Sequence, residues 1–230
     1  MKKLMFFALL AMATMAQGKT LVVYYSFTNN IETIANDLVT QIDADVLEVE
    51  PAEEGLDYAA NNYAIGSNLI AAIRANPDDA SSYPAIKTTI SNLDDYDIII
   101  IATPLWWSNM AAPMQSFLFN YSSQMAGKQI RLIVSSASSG ISGVVSDAKR
   151  LIPNGNFFSE NLWIRSSQTS NCHTLIANWL SKIDYSTIAA IRNIDIENNS
   201  ENDATYTLNG IRTNNIIKGV YIKNGKKFVY

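Results

Sequence analysis

The segment DIIIIATPLWWSNMAAP, residues 97–113, decides the fold. Its first half, Ile98, Ile99, Ile100, Ile101 and Ala102, is unbroken apolar sequence between Asp97 and Pro104. The run is too short for a helix and rich in β-branched side chains. It reads as a strand buried on both faces, as in a parallel sheet. Trp106 and Trp107 follow in a loop straight after it. In open α/β sheets, ligands bind beyond the carboxyl ends of the strands. Two large aromatics there suit a flat ligand, although aromatics also cap sheet cores in the same position.

Working outward, the same alternation recurs on both sides. Residues 20–25 (TLVVYY) form a β-branched and aromatic first strand, followed by the polar turn Ser26-Phe27-Thr28-Asn29-Asn30. Ile31, Ile34, Ala35, Leu38, Val39 and Ile42 then make one apolar helical face. A strand, a hydroxyl-bearing turn and a helix aim backbone N–H groups and a helix dipole at an anion such as a phosphate. The same Ser, Thr and Asn residues also serve as ordinary helix caps. A short strand is predicted over 45–49, closed by Pro51. A helix containing Leu56, Tyr63 and Ile73 follows, with a soft break at Gly66.

Beyond the central segment, residues 110–121 read as a helix with Pro113 in its first turn. A fourth strand over 129–134 runs into the small, hydroxyl-rich loop Ser135 to Gly140, and a helix follows over 144–151. Residues 161–165 (NLWIR) supply a fifth strand, and the apolar spacing from Leu175 to Ile183 supplies a last helix. Five strand–helix alternations call for a doubly wound parallel sheet. After residue 184 the character changes. A polar linker over 198–203 leads to two pieces carrying Asn209-Gly210 and Asn224-Gly225, the strongest short hairpin signal. The expected organisation is a leader over 1–18, an α/β domain over 19–184 and a small β tail over 185–230.

The amino terminus carries Lys2 and Lys3, an apolar run from Leu4 to Ala13, and small residues at Ala16 and Gly18, either of which suits cleavage. This reads as a secretory signal, too short to span a bilayer. The expected destination is the periplasm, with the cell surface or medium as alternatives, and no transmembrane segment remains after removal. Taking Lys2 and Lys3 from 17 basic residues leaves 15 against 21 acidic ones, a net charge near −6. No basic patch supports nucleic-acid binding. Cys172 is the sole cysteine and His173 the sole histidine, which excludes internal disulfides and multi-Cys or multi-His zinc sites. A hydrolase using Ser26 or Ser138 would depend on His173 as its base.

Three loops in this order resemble the flavodoxin family over roughly residues 19–184. The family's phosphate loop, Ser-x-Thr-Gly-Asn-Thr, is matched by Ser26-Phe27-Thr28-Asn29-Asn30-Ile31. Its Pro-x-Trp-Trp loop is matched by Thr103-Pro104-Leu105-Trp106-Trp107, and its Gly/Ser-rich turn by Ser136, Ser138, Ser139 and Gly140. The resemblance implies a five-stranded sheet of order 2-1-3-4-5 with FMN at the switch between the first and third strands. Ser26 and Thr28 would hold the phosphate with backbone N–H groups, and Trp106 would stack on the isoalloxazine, with Trp107 flanking it or lying in the core. The 136–140 loop would close the pyrimidine side. The implied activity is electron transfer to a redox partner protein, or reduction of a small acceptor such as a quinone. Two positions depart from the family: its Gly is Asn29, which tolerates left-handed backbone angles, and its last Thr is Ile31. Losing a hydrogen bond to a charged group costs roughly 1.5–3 kcal/mol. The competing reading is therefore an exported binding or structural module that kept the fold and lost FMN. The tail also resembles short C-terminal β modules of exported bacterial proteins.

Overall fold

The computed structural model describes residues 18–187 and three further strands over 205–207, 220–223 and 226–229. Residues 1–17 of the expected leader, the linker over 198–203 and the Asn209-Gly210 and Asn224-Gly225 turns lie outside the described residues.

The central sheet is built from β1 (Thr20–Tyr24), β2 (Asp45–Glu48), β3 (Ile98–Trp106), β4 (Asn109–Met110), β5 (Gln129–Ser136), β6 (Asn156–Phe157) and β7 (Leu162–Arg165). β1 pairs in parallel with β2 on one side and β3 on the other, and β3 pairs in parallel with β5. β6 and β7 occupy the fifth position in two pieces, both parallel to β5. In these labels the order is β2-β1-β3-β5-β6, with β7 also on β5; counted over the five parallel positions alone, it is 2-1-3-4-5. Asn161 is not part of this last strand. In the gap between its two pieces, the Asn161 side-chain oxygen accepts from the backbone N–H of Leu132 at 3.3 Å, so a side chain replaces a missing ladder bond.

Strand residues alternate between two cores because side chains alternate across a strand. Leu21, Val23, Ile99, Ile101, Leu132 and Val134 face α2 (Ala60–Ala75), α3 (Ala112–Tyr121) and α4 (Ser142–Leu151). Val22, Ile98, Ile100, Ala102 and Ile133 face α1 (Asn30–Gln41) and α5 (Cys172–Lys182). The isoleucine run of β3 is thus apolar throughout because helices cover both its faces.

Two local expectations change. β3 does not stop near Ala102 but continues to Trp106, because β4 folds back on it antiparallel, with Leu105 opposite Met110 and Trp106 opposite Asn109. Trp106 therefore belongs to a strand, and Trp107-Ser108 forms the two-residue turn. The break in α2 falls at Asn61, Asn62 and Tyr63, with φ of 50°, 55° and 62°, and not at Gly66. Asparagine is among the residues that best tolerate this left-handed region, whereas Gly66 sits in regular helix.

The sheet and its helices form one compact unit, and the carboxy-terminal strands fall in a second. In that second unit β8 (Thr205–Thr207), β9 (Val220–Lys223) and β10 (Lys226–Val229) pair antiparallel in the order β10-β9-β8.

Candidate functional site

The loops leaving β1, β3, β5 and β7 meet at the carboxyl end of the sheet around a cavity of about 450 Å³. That is an ordinary size for a small-molecule site. The first loop contributes Ser26, Phe27, Thr28, Asn30 and Ile31. Asn29, at the N-cap of α1, takes φ 61° and ψ −1°, and its side chain makes no capping bond. The first N–H groups of a helix have no intrahelical acceptor, so this uncapped turn faces the cavity with donors to spare. Ser26 Oγ is shielded from solvent and has no hydrogen-bond partner among the described residues. Buried hydroxyls in folded proteins are nearly always partnered, so this atom is available to a bound molecule. Ile31 turns its side chain into the α1–α5 core.

The hairpin after β3 contributes Pro104, Leu105, Trp106 and Trp107. The two tryptophans differ. Trp106 is 9% exposed, packed against Tyr58 (ring centroids 5.0 Å apart) and edge-on to Tyr25 and Phe27 at 5.7 and 6.1 Å. Trp107 is 44% exposed and meets Tyr63 edge-on at 6.5 Å. Both tryptophans line the cavity; the more exposed ring is that of Trp107, whereas the expected stacking residue was Trp106. A strand residue on this face points into the core, whereas the turn residue cannot. Thr103 also departs from expectation: it is fully buried in the sheet, does not line the cavity, and its hydroxyl donates to the Pro104 carbonyl at 3.2 Å.

The turn itself is under constraint. Trp107 and Ser108 have φ of 46° and 65°, the positive values that two-residue hairpins favour and that bulky residues adopt at a cost. Asn109 Nδ2 donates to the Trp107 carbonyl at 2.6 Å, and the Met110 N–H donates to Asp147 Oδ2 at 2.8 Å. A Cβ on Gly143 would lie 1.7 Å from the Ser108 carbonyl oxygen, so α4 approaches this turn as closely as only glycine allows. Burial pushes the Asp147 carboxyl up from its ordinary value, partly opposed by the Met110 N–H and by Arg150. Arg150 in turn donates to Gln115 Oε1 at 2.8 Å, and Gln115 Nε2 donates to the Met110 carbonyl at 2.7 Å.

Of the third loop, Ser136 lines the cavity, but its hydroxyl is already satisfied. It accepts from Trp163 Nε1 at 2.9 Å and donates to the Ser139 carbonyl at 2.7 Å. Ser138, Ser139 and Gly140 are exposed and lie off the cavity, whose wall is made instead by Ser135 and Ala137.

Four further lining residues escaped the sequence reading: Tyr58, Tyr63, Gly66 and Ser166. Ser166 follows β7, so the strand-end rule could have found it. No local pattern marks the others. Tyr58 is 4% exposed, and its hydroxyl is buried without a partner among the described residues. Burial, and then the nearby charge of Glu53, raise its pKa, so it stays a neutral phenol. Gly66 serves Trp107, since a Cβ there would lie 2.9 Å from Trp107 Cζ3. His173, at the start of α5, pairs with Asp37 Oδ2 at 3.1 Å on the surface and does not line the cavity. No group of metal-ligating side chains occurs among the described residues.

Known structures share this architecture. A protein of Bacteroides eggerthii, provisionally designated a flavoprotein, aligns with 24% identity and a TM-score of 0.57 over 73% of this chain and 98% of its own. A similarly designated protein of Bacteroides uniformis gives 24% and 0.53 over 70% and 99%. A Lactobacillus acidophilus flavoprotein, solved in complex with FMN, gives 23% and 0.53 over 67% and 97%. A profile of the flavodoxin family matches residues 19–183, the span of the wound sheet and its helices. Sheet order, cavity position and this match agree: the chain belongs to the flavodoxin family.

Proposed function

We propose that the cavity binds FMN and that the protein is an exported redox protein, passing electrons to a partner protein or a small acceptor such as a quinone. The observation that carries this reading is the buried, unpartnered Ser26 Oγ beside the uncapped, left-handed start of α1. Donors without acceptors at a helix N-terminus suit a phosphate. The residues present fit the cofactor. Ser26, Thr28 and the first-turn N–H groups would hold the phosphate, Trp107 would cover the flavin ring, and the 135–137 loop would close the far end. The FMN-bound Lactobacillus acidophilus relative, of the same fold, supports the assignment. When bound, the flavin supplies the electron-transfer chemistry, and the protein tunes it through packing, hydrogen bonds and charge. The aromatic wall of Trp106, Tyr58 and Phe27 keeps water from one side of the site. Export rests on the leader-like residues 1–18, and no described helix is long and apolar enough to cross a membrane.

The test is a titration of the chain from Lys19 onward with FMN, read by flavin absorbance and fluorescence quenching. Micromolar or tighter binding is the expected result. No binding at high FMN would leave a flavodoxin-like module without its cofactor, the reading that Ile31 favours. Potentiometry of the complex then separates a one-electron carrier from a two-electron reductase.

A further inference from the structure

The phosphate end of the cavity has a second wall that the family motif does not describe. After β7 the chain forms a 3-10 turn, Ser166–Asn171, that runs past the start of α1. Ser166 lines the cavity. Three residues on, Thr169 Oγ1 lies 2.9 Å from Asn30 Oδ1, and Asn30 Nδ2 lies 2.9 Å from Thr28 Oγ1. These contacts have a direction. With its oxygen toward Thr169, the Asn30 carboxamide donates to Thr28, so the Thr28 oxygen accepts one hydrogen bond and its own O–H is free to donate elsewhere. If the carboxamide were reversed, Oδ1 would face Thr28 and accept the hydrogen bond from its O–H. The Thr169 hydroxyl has two acceptors in reach, Asn30 Oδ1 at 2.9 Å and the Ser166 carbonyl at 3.1 Å; donation along the shorter contact opposes the reversal.

The two ends of the cavity therefore differ in kind. At the far end the Ser136 hydroxyl has both a donor and an acceptor within the protein. At the α1 end, Ser26 Oγ has no partner among the described residues, the Thr28 O–H is free to donate, and Ser166 lines the wall. Among the described residues, no lysine or arginine lines the cavity. Recognition of an anion here falls to neutral donors, and each of them matters more for that reason.

We propose that the Ser166–Asn171 turn completes the phosphate pocket: Ser166 supplies the hydroxyl that Ile31 lacks, and Thr169 is a positioning residue that holds Asn30 so that Thr28 donates to the phosphate. The turn thereby selects phosphorylated flavin over riboflavin. This inference rests on the FMN reading above.

The experiment compares dissociation constants for FMN and riboflavin in the parent protein and in Ser166→Ala, Thr169→Val and Thr169→Ser. Loss of one hydrogen bond to a charged group corresponds to about tenfold or more in affinity. Ser166→Ala and Thr169→Val should each weaken FMN by about that factor while riboflavin changes by less than about twofold, and Thr169→Ser should restore parental FMN binding. Inorganic phosphate should compete with FMN in the parent at lower concentration than in either weakened variant. Equal losses for FMN and riboflavin would reduce the turn to scaffolding, and unchanged FMN affinity would remove it from the site; either overturns the inference. A parent that binds neither flavin overturns the FMN reading and this inference with it, whereas a parent that binds both, with variants that do not discriminate, overturns the inference alone.

Discussion

At Asn29 the backbone takes φ 61° at the entry to α1, where the family motif carries glycine. An ordinary L-residue in this region costs roughly 1–2 kcal/mol, which asparagine partly escapes. Asn29→Ala should therefore lose about 1 kcal/mol of stability, while Asn29→Gly should be close to neutral. Chemical denaturation measures both, and equal effects would show that the left-handed angle is not what the position requires. The tryptophan pair makes a sharper contrast. Trp106→Ala removes a buried ring from the cluster of Tyr25, Phe27 and Tyr58 and should cost about 3–5 kcal/mol in stability. Trp107→Ala should barely move the unfolding midpoint but weaken FMN by about tenfold, the scale of an aromatic contact plus its buried area. A Trp107→Ala variant that binds FMN like the parent would return the stacking role to Trp106.

Among the elements, the β3–β4 hairpin is the part most dependent on its neighbours. Its turn residues are not the Asn-Gly that such turns prefer, and α4 holds it in place through Gly143 and Asp147. Gly143→Ala would drive a methyl into the Ser108 carbonyl. Backbone must move to accommodate it, so both stability and flavin affinity should fall. Gly66→Ala clashes only with the rim of an exposed side chain, Trp107, and meets Trp106 at an ordinary contact distance, so it should lower affinity with little change in stability. Asp147 adds a pH dependence. Its native pKa is raised, chiefly by burial, so the folded state holds this proton more tightly than the unfolded chain. The group favours folding below the ordinary carboxylate value of about 4 and loses that contribution as pH rises through its raised native value. Asp147→Asn still offers Met110 an acceptor but does not titrate. Its urea midpoint should fall less than the parent's between pH 4 and neutrality (about pH 7), and parallel curves would argue against the assignment.

On the scale of the whole molecule, the parallel sheet places β1 between β2 and β3, and the cavity opens where the chain leaves that switch point, as doubly wound sheets require. The proposal of export rests on the leader-like segment at the amino terminus. The expected outcome in a secreting host is a product lacking its first 16 or 18 residues, measured by intact mass. A product retaining Met1 would contradict export.

The sheet could be read from local pattern. Alternation of strand and helix, the isoleucine run between acidic residues and Pro104, and the hydroxyl turn after β1 carry the fold class, the strand order by resemblance, and one half of the site. These signals are legible because period and punctuation act over a few residues. The other half depends on chain segments that meet only after folding. That Trp106 is a buried strand residue and Trp107 an exposed turn residue was decided by β4 extending β3. The use of Gly66 and Gly143 was decided by the approach of α2 and α4 to one turn, and Ser166 and Tyr58 entered the site from residues far along the chain. A side chain's neighbours across the sheet leave no periodic trace in the sequence, so tertiary packing alone determines which polar and aromatic groups share a cavity.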